Sequence, residues 1–238
     1  MVTLAIVFNV LVFYPKCILQ QWPLQPNHPF HGVTFAAEPA NKYVDTILQS
    51  FLQRELLSSN LLPARLPEFA VVLGASKDHK EIINVNFTFG NVTGLDRIKR
   101  KGDCSGPKSY KREISINCTL SLFPLLSSHR TIVRNSTYTN VGKVQAALTE
   151  VLVDLQIVGK AQGSDVLVRK FDVGSLDTLT PVFSNIPVYL RGDLQYLQNA
   201  YKKHVLNNLY GILSQKYAEA LGRALAGIDM PRGIVPRL

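Results

Sequence analysis

Acidic residues are scarce in this chain of 238: 17 aspartates and glutamates stand against 26 lysines and arginines, a formal net charge of +9. Cysteine is scarcer, with three, and neither these nor the five histidines fall into metal-ligand spacing. The segment HPFH, His28 to His31, reads as solvated loop rather than as a ligand pair, and His79, His129 and His204 are scattered. No G-x-S-x-G elbow, Walker loop, Rossmann fingerprint or H-E-x-x-H helix occurs, which removes the chemistries those motifs serve. Asp96 and Asp103 flank a basic cluster, but an acid/base pair needs a shared pocket and shifted pKa values that spacing does not supply. The expectation is a non-enzyme, with no catalytic residue, metal or cofactor. Past residue 20 there is also no apolar run long enough to cross a bilayer.

Apolar content, by contrast, is ample. At 46% hydrophobic the chain can bury a core, and its length favours one domain, two at most. The first twenty residues read as a secretory signal: apolar over 2–14, too short to span, then helix-breaking Pro15 and polar Gln20, with cleavage expected between about 17 and 22. No small-x-small cleavage site is evident, so an uncleaved anchor stays as the alternative. The mature chain is expected to be secreted and extracellular. Cys17 lies in or beside the leader, which leaves Cys104 and Cys118 as a natural disulfide pair, with two free thiols the alternative. Four N-glycosylation sequons, at Asn86, Asn91, Asn117 and Asn135, fall in the middle third.

Two of these sequons sit in alternating runs. In IINVNFTFG, Ile83, Val85, Phe87 and Phe89 share one face, and Asn84, Asn86 and Thr88 the other. In REISINCTLSL, Ile114, Ile116, Cys118, Leu120 and Leu122 oppose Glu113, Ser115, Asn117, Thr119 and Ser121. Glycans would then ride on the wet side of a sheet whose other face is covered.

Residues 21–38, rich in proline and aromatics, read as an irregular lead-in. Over 39–59, Val44, Ile47, Leu48 and Phe51 recur at helical spacing opposite Asp45, Gln49, Gln53 and Arg54, which predicts an amphipathic helix. Strand-like runs follow at 69–73, 82–89, 92–100, 110–123, 131–139, 147–158 and 166–173, punctuated by glycine and charge clusters that suit hairpins: a meander of long antiparallel strands. From about Asp193 toward Ala226, Leu194, Leu197, Tyr201, Val205, Leu209 and Ile212 form a helical stripe, about 50 Å long if Gly211 and Gly222 neither end nor kink it. Neither helix falls between successive strands, which disfavours a βαβ sheet and predicts the α+β class.

The positive surplus favours anionic partners such as acidic lipids, lipopolysaccharide or heparin-like glycans, while export and the lack of a recognition motif set nucleic acid aside. Basic residues over 97–112 form a patch if neighbouring strands pair there; a solvated sheet face is the alternative.

The stretch NVTGLDRIKRKGD, 91–103, carries a resemblance. Val92, Gly94, Leu95, Ile98, Lys99, Arg100, Gly102 and Asp103 fit V-x-G-L-x-x-(apolar)-K-R-x-G-D, which resembles the corresponding strand of mite group 7 allergens. The Gly-Leu step also resembles one in arthropod juvenile-hormone-binding and takeout proteins. VRKF at 168–171, the Pro181-Val-Phe segment and the last helix are similar to the group 7 carboxy-terminal half, in the same order of elements from about Lys42 to Leu225. The resemblance implies the tubular lipid-binding fold, half of the architecture of bactericidal/permeability-increasing proteins. That is a super-roll: a long, strongly curved antiparallel sheet rolled around a long C-terminal helix, with a shorter N-terminal amphipathic helix. It also implies binding of apolar molecules between sheet and helix. The Cys104 and Cys118 pair departs from the hormone-binding relatives, whose disulfide lies nearer the amino terminus. Locally, Val92 and Ile98 share a parity, and a bulge at Gly94 brings Leu95 to their side.

The expected organisation is a signal over 1–20, a lead-in over 21–38, a single tubular lipid-binding domain over 39–228 and a tail over 229–238. The expected function is a secreted carrier of lipids or other small hydrophobic ligands; the alternative is a basic defence or host-interaction protein binding polyanions such as lipopolysaccharide or glycosaminoglycan. Candidate wall residues are Val44, Ile47, Leu48 and Phe51 on the first helix; Ile83, Val85, Phe87, Ile114, Ile116, Val151, Val153 and Leu155 on the sheet; and Leu194, Leu197, Tyr201, Val205, Leu209 and Ile212 on the last helix. Plain core packing accounts for each of them equally well.

Overall fold

The structure is a computed structural model and describes residues 34–231 apart from 76, 78, 79, 111, 112, 161–164, 175, 177 and 178. The leader, Cys17, His28, His31 and His79 lie outside the described residues. The chain divides into two units, Met1–His31 and Gly32–Leu238, and the fold below is that of the second.

A helix comes first: α1 (Thr34–Thr46) passes through a π turn (Ile47–Phe51) into α2 (Leu52–Ser58). Short strands β1 (Ala64–Leu66) and β2 (Phe69–Leu73) precede β3 (Ile83–Thr93), β4 (Ile98–Arg100), β5 (Lys108–Tyr110), β6 (Glu113–Leu122) and β7 (Leu125–Arg134). Then come β8 (Thr139–Leu148), β9 (Val151–Lys160), β10 (Leu167–Val173) and β11 (Leu179–Ser184). The last helix is α3 (Leu194–Gly211), a second π turn (Ile212–Tyr217) and α4 (Ala218–Leu225).

Pairing divides the strands into two sheets, one in the order β1-β3-β7-β8-β11 with β2 also on β3, the other in the order β10-β9-β6-β4 with β5 on β6. The two orders are one meander cut across its middle. β3 continues as β4, β6 as β7, β8 as β9 and β10 as β11, and each long strand crosses from one sheet to the other through a short break. The breaks lie at one level, because Leu122 faces Val151 on one side of it and Leu125 faces Leu148 on the other. Thr93 likewise faces Leu126 before the break in the first strand, and Ile98 faces Leu122 after it.

Three of the four breaks have a local cause. Gly94 adopts φ +94°, and Leu95–Arg97 form a single 3-10 turn before extension resumes. Pro124 has no N–H to give a ladder. Gly174 bends toward β9, donating its N–H to the Leu152 carbonyl at 2.8 Å. Val92, Leu95 and Ile98 all finish buried, so the expected inward turn of Leu95 occurs, by a 3-10 turn rather than a bulge.

The last helix covers both sheets in turn. On the first sheet α3 reaches both edges: Gln198 Nε2 donates to the Pro181 carbonyl of β11 at 3.1 Å, and His204 Nε2 to the Pro67 carbonyl between β1 and β2 at 3.1 Å. Past Gly211, the Tyr217 hydroxyl donates to the Leu95 carbonyl at the strand break, at 3.0 Å. The buried stripe Leu197, Tyr201, Val205, Leu209, Leu213, Tyr217 is spaced strictly by four. Such a stripe drifts by about 40° per step around an α-helix, and the wider π turn takes up part of that drift. The second sheet needs two helices to close it. The first helix lies against β4 through the Arg100 to Asp45 pair, α4 lies against β10, and the two helices meet where Arg223 bonds Glu55 and Ser59.

Several expectations change. The first helix begins at Thr34, inside the stretch expected to be irregular, with Pro39 in its interior. The 92–100 run is the end of β3, a turn and β4; the 131–139 and 147–158 runs each straddle a strand boundary; β1 and β11 went unforeseen. Phe89 leaves the inner face: β3 bulges between Thr88 and Asn91, Phe89 takes φ +53°, and its side chain is exposed.

Candidate functional site

An open concavity lies where the edge of the second sheet meets the last helix, a groove of about 580 Å³ between Val166–Phe171 and the helix face of Ser214, Gln215, Ala218, Glu219 and Gly222. One wall is an edge strand: among the described residues β10 pairs with β9 alone, and a bulge between Val168 and Lys170 leaves Arg169 out of the ladder. Val166, Val168 and Phe171 supply an apolar floor, and the Phe171 ring packs 5.8 Å from that of buried Tyr217. The other wall is low because Ser214, Ala218 and Gly222 repeat every four residues. A Cβ at Gly222 would meet nothing within 4 Å. The cations of the rim are neutralised, Arg169 by Glu113 at 3.1 Å and Lys170 by Asp172 at 2.8 Å, which leaves the Glu219 carboxylate on the helix side. Such a site can take apolar surface out of water and offers few polar groups to orient a guest.

A second feature lies inside the first sheet. Ser127, His129 and Thr131, successive inward positions of β7, are buried where the flanking Leu125 and Val133 are apolar. The Tyr201 hydroxyl of α3 sits 3.2 Å from both Ser127 Oγ and His129 Nδ1. His129 Nε2 and His204 Nε2 both approach the Pro67 carbonyl, at 3.3 and 3.1 Å, so each carries its proton there and His129 Nδ1 accepts from Tyr201. The two histidines that looked scattered in the chain are therefore neighbours, with ring centroids 6.4 Å apart. Gly90 makes room for them, since a Cβ there would lie 2.1 Å from His129 Nε2. Burial pushes the His129 imidazole below its ordinary pKa against the opposing Pro67 bond, and lifts the Tyr201 hydroxyl to about 12. His129 and Tyr201 are buried together, so this row orders the core and offers no exposed nucleophile.

Apart from Leu194, the sequence-expected wall residues gather in one cluster. On the first helix Val44, Ile47 and Leu48 are buried and Phe51 is half-buried; on the sheet Ile83, Val85, Phe87, Ile114, Ile116, Val151, Val153 and Leu155 are buried. On the last helix Leu197, Tyr201, Val205, Leu209 and Ile212 are buried, and Leu194 is partly so. They pack against one another, whereas the open groove is walled by Val168, Phe171, Ser214, Ala218 and Gly222. The four-residue spacing of small side chains in the last helix is the signal that reveals the groove.

Cys104 and Cys118 form a disulfide, and Asn41 of α1 fixes the same loop: its Oδ1 accepts from the Cys104 N–H and its Nδ2 donates to Asp103. Of the sequon asparagines, Asn117 is exposed and Asn86, Asn91 and Asn135 are half-exposed. Asn91 Oδ1 accepts from Ser128, and Asn135 Oδ1 accepts from the N–H groups of Thr137 and Tyr138 in the β7–β8 turn. Half of the 97–101 basic cluster is paired within the chain, Arg100 with Asp45 and Asp103 and Lys101 with Glu150, while Arg97 and Lys99 have no ion-pair partner among the described residues.

No family model matches the sequence, and no curated protein matches it. Among solved structures, the chain is similar to lipopolysaccharide binding protein at 16% identity and a TM-score of 0.50, over 82% of this chain and 38% of that one. The chain thus spans well under half the length of that protein. Takeout 1 of Epiphyas postvittana aligns over 77% of this chain and 86% of its own, at 12% identity and a TM-score of 0.34. The likeness to lipopolysaccharide binding protein shows the fold: long antiparallel strands wrapped on a C-terminal helix.

Proposed function

We propose that this chain is a secreted, non-enzymatic binder of a lipid or other small hydrophobic molecule, held in the groove between β10 and the last helix. The groove itself carries the reading. Its volume of about 580 Å³ falls within the range of about 300–1,000 Å³ usual for small-molecule sites, and its apolar floor is rimmed by two cations already paired and by the carboxylate of Glu219. Burying an alkyl chain there contributes roughly 25 cal/mol per Å² of apolar surface removed from water. The fold is one that lipopolysaccharide binding protein, by its name a lipid binder, also uses.

Secretion is supported by the apolar leader and by the Cys104 to Cys118 disulfide. The outward positions of the four sequons favour N-glycosylation. The domain is taken as 39–228 extended to the helix start at Thr34, and the V-x-G-L pattern supports kinship with mite group 7 allergens and an arthropod source. The wall residues of the closed core are proposed to back the groove and to meet ligand where it reaches past Phe171.

Native mass spectrometry of protein from a secretory host, followed by lipid extraction, tests the reading. The expected result is a co-purified apolar ligand that is lost in Gly222→Trp, whose indole fills the groove. A protein that is always empty, or a Gly222→Trp variant that stays loaded, would refute it.

A further inference from the structure

The two edges of the second sheet meet different helices and differ in charge. At the β4 edge a concavity of about 360 Å³ is enclosed by Asp45, Leu48, Gln49 and Gln53 of the first helix and by residues 96–100. Leu48 and Ile98, both buried, form its apolar base. Arg100 is committed elsewhere: its Nε and Nη2 donate to the two oxygens of Asp45 at 3.1 and 3.0 Å, which neutralises Asp45 as well. Arg97 and Lys99 are exposed and, among the described residues, have no carboxylate within ion-pair distance; Lys99 faces neutral Ser121 across the ladder. The concavity therefore holds two uncommitted cations against one remaining carboxylate, Asp96. At the β10 edge both cations are paired.

We propose that the β4-edge concavity is a second binding site, for an anionic amphiphile: an oxyanion headgroup, carboxylate or phosphate, on an alkyl chain. Arg97 and Lys99 hold the headgroup through charge-assisted hydrogen bonds, the Gln49 and Gln53 amides add neutral donors, and Leu48 and Ile98 cover the first methylenes. A polyanion would need a longer basic strip, and the next two cations along the chain, Arg100 and Lys101, are bonded to Asp45 and Glu150. Two free cations in a concavity suit one headgroup.

Calorimetric titration of the full chain with monododecyl phosphate, dodecanoate, dodecyl maltoside and inorganic phosphate tests this, each amphiphile below its micelle concentration. Arg97→Gln/Lys99→Gln is compared with Arg130→Gln/Lys143→Gln, which removes the same charge from the outer face of the other sheet. The expected result is a loss of about tenfold or more for the two anionic amphiphiles in the first variant and less than about twofold in the second. Dodecyl maltoside should bind both variants equally, which separates this site from the neutral groove. Thermal melts check the fold, and Lys99→Gln alone serves if the double variant melts early. Equal losses in both variants would reduce the effect to net charge and overturn the proposal. Inorganic phosphate binding as tightly as dodecyl phosphate would remove the amphiphile, and heparin competing for the same residues with higher affinity would hand the site to a polyanion; either result also overturns it.

Discussion

Gly94 is the position at which the first long strand turns out of one sheet and into the other, and replacing it with alanine tests the broken meander directly. Two costs arise. The backbone sits at φ +94°, a region in which an L side chain is strained by roughly 1–2 kcal/mol. A Cβ would also lie 2.2 Å from the Pro124 carbonyl oxygen, a backbone atom of the neighbouring break, and relieving that overlap by moving the strands costs about 1–3 kcal/mol. Gly94→Ala should therefore destabilise by about 2–5 kcal/mol. Two other glycines calibrate the figure. Gly102 has φ +74° and open space around it, so Gly102→Ala bears only the backbone cost, roughly 1–2 kcal/mol. Gly222 is helical with open space, so Gly222→Ala should stabilise by up to about 1 kcal/mol. Equilibrium urea unfolding of the three variants with the disulfide intact measures the series. If Gly94→Ala proves no less stable than Gly102→Ala, the close approach of the two breaks is wrong, and with it the single level at which the strands change sheet.

Three further outcomes follow from the interior. Burial keeps the folded His129 imidazole below its ordinary pKa, so unfolded chains take up a proton that folded ones refuse. Its contribution is complete above about pH 6.5 and declines as pH falls toward the lowered folded value, so urea midpoints at pH 7.5 and 5.5 should differ in the native protein and differ less in His129→Gln. Tyr201→Phe leaves Ser127 and His129 without the hydroxyl they share and should cost about 1–3 kcal/mol by thermal or chemical melts, whereas exposed Tyr196→Phe should cost nothing measurable. Serines in place of both Cys104 and Cys118 reopen a loop closed across 14 residues and should cost about 3 kcal/mol, unless the Asn41 bonds alone hold the loop.

The alternation of apolar and polar residues made much of this architecture legible. Ile114 to Leu122 and Val151 to Ile157 put the expected side chains inward, and the last helix runs from Leu194 to Leu225 despite Gly211 and Gly222. What a change of parity cannot mark is where the chain leaves one sheet for another. Leu148 and Val151 are both buried across Thr149 and Glu150, so the inward positions switch there from even to odd through a change of sheet, with no proline or glycine to announce it. The same limit hid the bulge at Phe89, where an aromatic at an inward parity is turned outward so that Gly90 can admit an imidazole from the next strand. The His129 and His204 cluster was invisible for a different reason: 75 positions separate its members, and only the packing of α3 across both edges of the first sheet brings them to one carbonyl.

The placement of the grooves follows from how each sheet is closed. One helix suffices for the first sheet, because α3 bonds to Pro181 on one edge and to Pro67 on the other, and its face is filled by Leu197, Tyr201, Val205 and Leu209. The second sheet is spanned by two helices side by side. Each packs on its own strand edge and on its neighbour, and the Arg223 bonds to Glu55 and Ser59 tie the two helices beside the buried side chains of α2 and α4. Both strand edges are then left with a partly open junction, one at β10 and one at β4. Severing the helix pair should therefore alter both grooves together: Arg223→Ala frees each helix to settle onto its own edge, and ligand binding at the β10 groove and at the β4 concavity should weaken in the same variant. Loss at one site with the other untouched would mean that the junctions are independent, and that the helix pair does not set their width.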